Sequence, residues 1–324
     1  MSTKKILLSG IKPTGRPHIG NYFGAMKQYV DMQNDYDSYI FLPDYHALTS
    51  VQNGAELAGY SLDVAIDLLA IGLEPVKVTL FKQSDVPEVT ELAWIFNCLT
   101  TMPYLMRAHA FKDSEAKNKD INVGIFDYPI LMAADILIQD ADLVPVGADQ
   151  KQHVEYARDT AEKFNRVYGD TFKLPEPRIL EAVAVVPGID GQKMSKSYGN
   201  HIPLFAEDDE IRSLVAKIVT DSKTPDEPKD PTTDNIFALH KLFSQDDLAE
   251  IENKYRAGEM GYKESKEILA DNIIKFITPL RARRAEFAAD PDHVKKILAE
   301  GGERARAKAS AKMTDVRQKT GLSF

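Results

Sequence analysis

Lys193-Met194-Ser195-Lys196-Ser197 puts two lysines and two hydroxyls on one short stretch between Gly191 and Gly199, after the apolar run Ala182 to Val186. The three-residue spacing lets both ammoniums face the same way and converge on one polyanion. Glycine on either side lets such a loop swing without steric penalty. A solvated Lys/Ser loop is the plainer alternative. A second anion-binding candidate is the Gly/Pro-rich turn Ser9-Gly10-Ile11-Lys12-Pro13-Thr14-Gly15-Arg16-Pro17-His18-Ile19-Gly20-Asn21. It joins a strand-like run to a helical pattern, and a helix N-terminus offers backbone N–H groups and a dipole that favour phosphate. His18 can donate a hydrogen bond to an oxyanion there. The turn has neither the Gly-Lys-Ser/Thr of a P-loop nor Gly-x-Gly-x-x-Gly, so neither of those nucleotide motifs applies, and a loop that only turns is the plainer alternative.

Two aspartates add to these. Tyr128, Met132 and Asp135 fall at i, i+4 and i+7 of an apolar helical run, with Pro129 expected in its first turn. A carboxylate on that face needs a partner, which a cap or a basic side chain could supply as well as a ligand. Asp149, before Lys151-Gln152-His153, is placed to cap a helix with Gln152 three residues on. Phosphate, ribose or magnesium contacts are the alternative at that position.

The elements that must position these groups alternate. Ile6 to Leu8, Tyr39 to Leu42, Val78 to Phe81 and Asp142 to Gly147 read as strands; Ala55 to Ile71 and Glu88 to about Arg107 read as helices. This βαβα order predicts an α/β fold: a Rossmann-like, doubly wound, mainly parallel sheet, with ligands at the strands' carboxyl ends. Gly10, Asp44, Gln83, Gly147 and Gly188 are expected at such ends. Ser114 to Asn122 reads as a polar loop. After Asn200 strand signals stop and only helical patterns follow, giving a C-terminal all-helical domain. The expected division is 1–200, with a helical insertion at roughly 86–135, and 201–324, whose last helix can pack back on the first domain.

The totals restrict the class. At 324 residues, with 44% hydrophobic and 27% charged residues, the chain is expected to be a soluble globular protein of two domains. A single cysteine, Cys98, excludes an internal disulfide and a cysteine-based zinc cage; its setting, Trp94-Ile95-Phe96-Asn97-Cys98-Leu99, reads as core packing. The first residues read as a strand rather than a signal peptide, and no apolar run reaches the roughly 20 residues of a membrane helix. A cytoplasmic protein is expected, with no membrane partner. Net charge is −9, which argues against nonspecific coating of nucleic acid. Yet Arg281 to Phe324 carries 11 Lys/Arg against 6 Asp/Glu, while the remainder carries 29 against 43. That basic tail suits RNA held at chosen places and equally a solvated helix face.

With these motifs assembled, the chain resembles the bacterial-type tryptophanyl-tRNA synthetases, which are class I aminoacyl-tRNA synthetases. The likeness runs nearly end to end. It is most specific at Pro13 to Asn21 (the "HIGH" signature, here His18-Ile19-Gly20-Asn21), Met132 to Leu137, Val144 to Gly147, Asp149 to His153, and Lys193 to Ser197 (the "KMSKS" signature). Lys12, Ala148 and Ser114 depart from the family's usual pattern.

The resemblance implies an enzyme that activates L-tryptophan with ATP and charges tRNA(Trp). His18, Lys193, Ser195 and Lys196 would be catalytic. ATP would meet Lys12, Pro13, Thr14, Gly20, Asn21, Gly147, Ala148, Asp149, Val186, Lys193, Met194, Ser195, Lys196 and Ser197. Asp135 would accept the indole N–H, with Tyr128, Met132, Val144, Val146, Gln150 and His46 around the amino acid. No protein-bound metal is implied, Mg2+ being expected mainly through the ATP phosphates, and a homodimer is implied. A tyrosyl-tRNA synthetase of the same fold and a non-catalytic RNA-binding paralogue are the alternatives. The chemistry suits the residues: the amino acid's own carboxylate attacks the α-phosphorus, so positioning and charge neutralisation replace an enzyme nucleophile. A site that bonds a buried N–H rejects ligands lacking it by roughly 10⁴–10⁵-fold.

Overall fold

The computed structural model describes residues 4–108, 121–147, 151–179 and 186–323. They form two compact units: Met1–Gly15, Tyr29–Glu181 and Asp290–Phe324 make the first, and Arg16–Gln28 with Ala182–Ala289 the second. The segment carrying His18 thus groups with the segment carrying the lysine loop, and the last helix groups with the sheet.

The first unit is built on a sheet of order β3-β2-β1-β4-β5, every pair parallel. Its strands are β1 (Ile6–Gly10), β2 (Asp37–Leu42), β3 (Val78–Lys82), β4 (Leu143–Val146) and β5 (Glu176–Ile179). Strands β1 to β4 are apolar runs because helices cover both faces of such a sheet, leaving no wet side to demand alternation. The strand order reverses between β1 and β4, the place where a doubly wound sheet opens a crevice. Pro145, within β4, lies past the point where β1 meets β4, at Leu7 and Leu143, and stands opposite Arg178 of β5.

Several sequence expectations need correction. Strand β5 was not expected, since Glu176-Pro177-Arg178 carries no apolar run; as an edge strand it tolerates its proline. The helix bearing Asp135 runs Val123–Ile138, and the Asn122 side chain caps it by accepting from the Ile125 N–H at 3.0 Å. Pro129 therefore lies inside the helix rather than in its first turn. The helices expected from Glu88 to about Arg107 are Glu88–Leu99 and Met102–Leu105, parted where Thr100 and Thr101 are extended ahead of Met102-Pro103. Cys98 is exposed, not core, and so is Trp94, one turn before it. The helix turns Val89, Leu92, Ala93, Ile95 and Phe96 inward and the Trp94 face outward.

The last helix, Pro291–Thr320, lies on β3 through a glycine pair. A Cβ on Gly301 would sit 1.8 Å from the Leu80 carbonyl oxygen, so only glycine permits this approach. Ala305, Ala309, Met313 and Val316 continue the same face into the core.

The second unit is helical: Asp208–Ala216, Asn235–Phe243, Leu248–Ala257 and Tyr262–Ala289. Phe237, Ile251, Tyr255 and Met260 form its core. Phe23 packs edge-on to Phe243 and stacks on Phe276, which ties the His18 segment into this unit. His18 also forms a backbone bridge with Pro203, and the Ile19 N–H donates to the Ile202 carbonyl at 3.0 Å. Among the described residues no helix is long and apolar enough to cross a membrane.

Candidate active site

Two cavities receive the residues singled out by the sequence, one in each unit. In the first unit a cavity of about 230 Å³ opens at the carboxyl ends of β1 and β4. Gly10, Tyr29, Phe41, His46, Tyr128, Met132, Asp135, Val144, Val146 and Gly147 line it. Its walls are mostly apolar or aromatic, with the Tyr128 and His46 rings 4.3 Å apart. The carboxyl group lining it is that of Asp135, 6% exposed.

Three donor contacts hold that carboxylate. Gln83 Nε2 lies 2.8 Å from Oδ1 and 2.9 Å from Oδ2, and His46 Nε2 lies 3.0 Å from Oδ2. The Gln83 carbonyl is itself fixed, accepting from the backbone N–H of Tyr45 at 3.0 Å and of His46 at 3.3 Å. Burial pushes the Asp135 pKa up, and the His46 and Gln83 bonds oppose that rise. His46 Nδ1 is buried without a hydrogen-bond partner among the described residues. With Nε2 donating to the carboxylate, Nδ1 is an acceptor.

In the second unit a cavity of about 480 Å³ is lined by His18, Gly20, Asn21, Val186, Lys193, Met194, Ser195, Lys196, Ser197 and Tyr198. His18 and Lys196 thus face one space, though 178 positions separate them in the chain. His18 caps the helix that begins at Ile19: its Nδ1 accepts the Asn21 N–H, and Asn21 Oδ1 accepts the His18 N–H. Burial first, then the neighbouring His201 and Lys196, push the His18 pKa down to about 4. At neutral pH the ring is therefore neutral, with its proton on Nε2, a donor without a charge.

The lysine loop is held at its base. Asn200, 2% exposed, accepts the Ser195 N–H at 2.8 Å and donates to Asp190 Oδ1 at 2.7 Å and the Lys193 carbonyl at 3.2 Å. Met194 is buried, and its N–H donates to the Val186 carbonyl. Lys193 and Lys196 line the cavity on either side of Met194. Gly191 and Gly199 both have positive φ, +80° and +63°, so glycine serves here to turn the chain. The Lys196 ammonium is desolvated enough to lower its pKa, although the residue as a whole is exposed.

Not every candidate reaches a cavity. Lys12 Nζ donates to Thr49 Oγ1 at 2.9 Å, and Pro13 is buried beside it in the chain. Lys12, Pro13 and Thr14 belong to the first unit, whereas His18, Gly20 and Asn21 belong to the second. Ala148, Asp149, Gln150, Ser114 and most of the Ala182 to Val186 run lie outside the described residues. Sequence reasoning missed Gln83 as a site residue, although it had placed it at a strand end. It also missed Asn200 and His201, whose ring lies 5.7 Å from that of His18. Only adjacence to the lysine loop could have pointed to those two.

Known proteins share this arrangement of sequence and fold. A family model described as tRNA synthetases class I (W and Y) matches residues 2–278. The chain is 50% identical to the tryptophan–tRNA ligase of Rhodopirellula baltica over 319 residues, covering 98% of this chain and 99% of that one. It is 48% identical to the tryptophan–tRNA ligase of Fusobacterium nucleatum over 317 residues, 97% of each chain. The structure superposes on Campylobacter jejuni tryptophanyl-tRNA synthetase complexed with ADP and tryptophan with a TM-score of 0.92 at 44% identity, covering 98% of this chain and 99% of that one. A parallel sheet with a carboxylate at its switch point, a histidine and a lysine loop on one cavity, and likeness over nearly the whole length lead to one assignment: the chain belongs to the class I tRNA synthetases of the tryptophan and tyrosine type.

Proposed function

We infer that the chain is an aminoacyl-tRNA synthetase that activates L-tryptophan with ATP, releasing pyrophosphate, and transfers tryptophan from the adenylate to the 3′-terminal ribose of tRNA(Trp). The observation that carries the choice of amino acid is the buried Asp135 carboxylate bordering an aromatic-lined cavity of about 230 Å³. Such a cavity suits a flat apolar body with one buried N–H to be accepted. Tyr128, Met132, Val144, Val146, Gln150 and His46 would surround the amino acid.

The tryptophan carboxylate attacks the α-phosphorus and the bond to pyrophosphate breaks. Charge accumulates on phosphate oxygens, and the second cavity supplies what that requires: two ammoniums, Lys193 and Lys196, hydroxyls, and the neutral Nε2–H donor of His18. Lys12, Pro13, Thr14, Gly20, Asn21, Gly147, Ala148, Asp149, Val186, Met194 and Ser197 would complete the nucleotide contacts. Mg2+ would ride on phosphate oxygens, where it would neutralise charge on the triphosphate.

The helical segments after residue 200 would carry the anticodon contacts, in the cytoplasm where the tRNA is charged. A homodimer also belongs to this reading: Trp94, Met102, Met106 and Val123 leave 50–80% of their surface exposed, apolar surface of the kind a partner covers. The test is ATP–pyrophosphate exchange with each amino acid in turn, followed by charging of tRNA. Tryptophan should support exchange and tyrosine and phenylalanine should not. Exchange independent of any amino acid, or equal with tyrosine, overturns the reading.

A further inference from the structure

We propose that Gln83 is a positioning and specificity-determining residue for tryptophan, which aims one lone pair of Asp135 at the cavity and keeps that carboxyl an acceptor. This rests on the reading of Asp135 as the indole N–H acceptor given above.

The amide of Gln83 has no choice of orientation. Two backbone donors, the N–H groups of Tyr45 and His46, face its Oε1 at 3.0 and 3.3 Å. Flipping the amide would set N–H against N–H in a site where Gln83 is 1% exposed. Its Nε2 therefore points at Asp135, reaching both oxygens at 2.8 and 2.9 Å. A carboxylate has about four lone-pair sites. Oδ2 receives Gln83 and His46 and is filled; Oδ1 receives Gln83 alone. One acceptor site remains, on Oδ1, and Asp135 lines the cavity.

Keeping the carboxyl an acceptor matters for choosing between aromatic amino acids. An indole N–H is a donor only and requires an acceptor opposite. A phenol O–H both donates and accepts, so it pairs with a neutral carboxylic acid as well as with a carboxylate. Burial favours the neutral acid, and Asp44 adds to that tendency, while Gln83 and His46 oppose it. Tyr128 is the other titratable group facing Asp135, and Asp127 faces His46 from the same helix. Removing the Gln83 donor thus shifts the site toward a form that loses its preference for indole.

Gln83→Glu tests this with little change of shape, because the second oxygen of the new carboxyl can still accept from Tyr45 and His46. Two carboxyls at hydrogen-bond distance share one proton, so Asp135 ceases to be a pure acceptor. In tryptophan-dependent exchange, KM for tryptophan should rise roughly 10- to 100-fold, with kcat and KM for ATP changed only a few-fold. The preference for tryptophan over tyrosine should fall. KM for tryptophan should also become pH-dependent, improving as pH rises and the shared proton leaves.

Gln83→Met, which removes the donor without adding a charge, should raise KM similarly and decides the matter where Gln83→Glu lowers Tm sharply. Asp135→Asn is measured alongside. If Asp135→Asn raises KM for tryptophan while both Gln83 variants keep wild-type KM and amino-acid preference, the role of Gln83 is overturned and the acceptor reading stands. If all three variants bind tryptophan as the wild type does, the acceptor reading fails and the proposal with it.

Discussion

His18 and Asn21 clasp each other: the imidazole Nδ1 accepts the Asn21 backbone N–H at 3.2 Å, and the Asn21 side-chain oxygen accepts the His18 backbone N–H at 3.1 Å. This reciprocal cap fixes the tautomer of the histidine, leaving Nε2–H as the free donor. His18→Ala should therefore lower kcat for exchange roughly 100- to 1,000-fold, as loss of one donor to a developing oxyanion does elsewhere. His18→Asn, which keeps an N–H donor on a shorter side chain, should recover part of it. Steady-state exchange kinetics decide, and a His18→Ala enzyme with wild-type kcat removes the histidine from the chemistry.

Lys196 is expected to act on the departing pyrophosphate rather than on the amino acid. Lys196→Ala should reduce kcat by at least tenfold with KM for tryptophan within about threefold of wild type. Weaker binding at unchanged turnover would contradict that assignment.

Asp135→Ala should abolish most tryptophan-dependent exchange, by about 100-fold or more in kcat/KM, since the indole N–H and Gln83 both lose their partner. Circular dichroism should show the fold retained. A folded variant with wild-type exchange would exclude Asp135 as the acceptor.

Acid should destabilise the protein through two histidines. His18 and His240 are buried and both are pushed down from 6.5 to about 4, chiefly by desolvation. Between those values the unfolded chain binds protons that the native state does not. Stability is therefore complete above pH 6.5 and is lost as pH falls toward 4, by at most about 3 kcal/mol per group. Calorimetry should find Tm declining steadily across that interval; a Tm no lower at pH 4.5 than at pH 7 contradicts the expectation.

Trp94→Glu puts a charge on the exposed apolar face of the Glu88–Leu99 helix. Sedimentation should find the wild type dimeric and the variant shifted toward monomer at micromolar concentration. A variant that sediments as the wild type moves the interface elsewhere.

Much of this was legible in the sequence because it rests on local pattern. Strands β1 to β4 are apolar runs ended by turn residues, and a charged residue within the apolar Tyr128 to Ile138 stretch had to be Asp135. His18 and the lysine loop were legible as motifs. What escaped depends on distance or direction. Strand β5 exists only because β4 pairs with it. Gln83 gains its role from Asp135, 52 positions away, and an amide has no spacing signature of its own. Trp94 and Cys98 misled because apolar composition does not say which face of a helix is turned outward.

The glycine pair on β3 has a bearing on how the chain is made. Because residues 290–324 complete a unit whose strands all precede the helical unit in the chain, a growing chain carries an unfinished sheet until the helix after that unit is synthesised. The all-helical middle is available earlier. Nascent molecules thus expose the Leu80 edge until the helix carrying Gly301 emerges, and a chain cut short before that helix would bear a sticky apolar face.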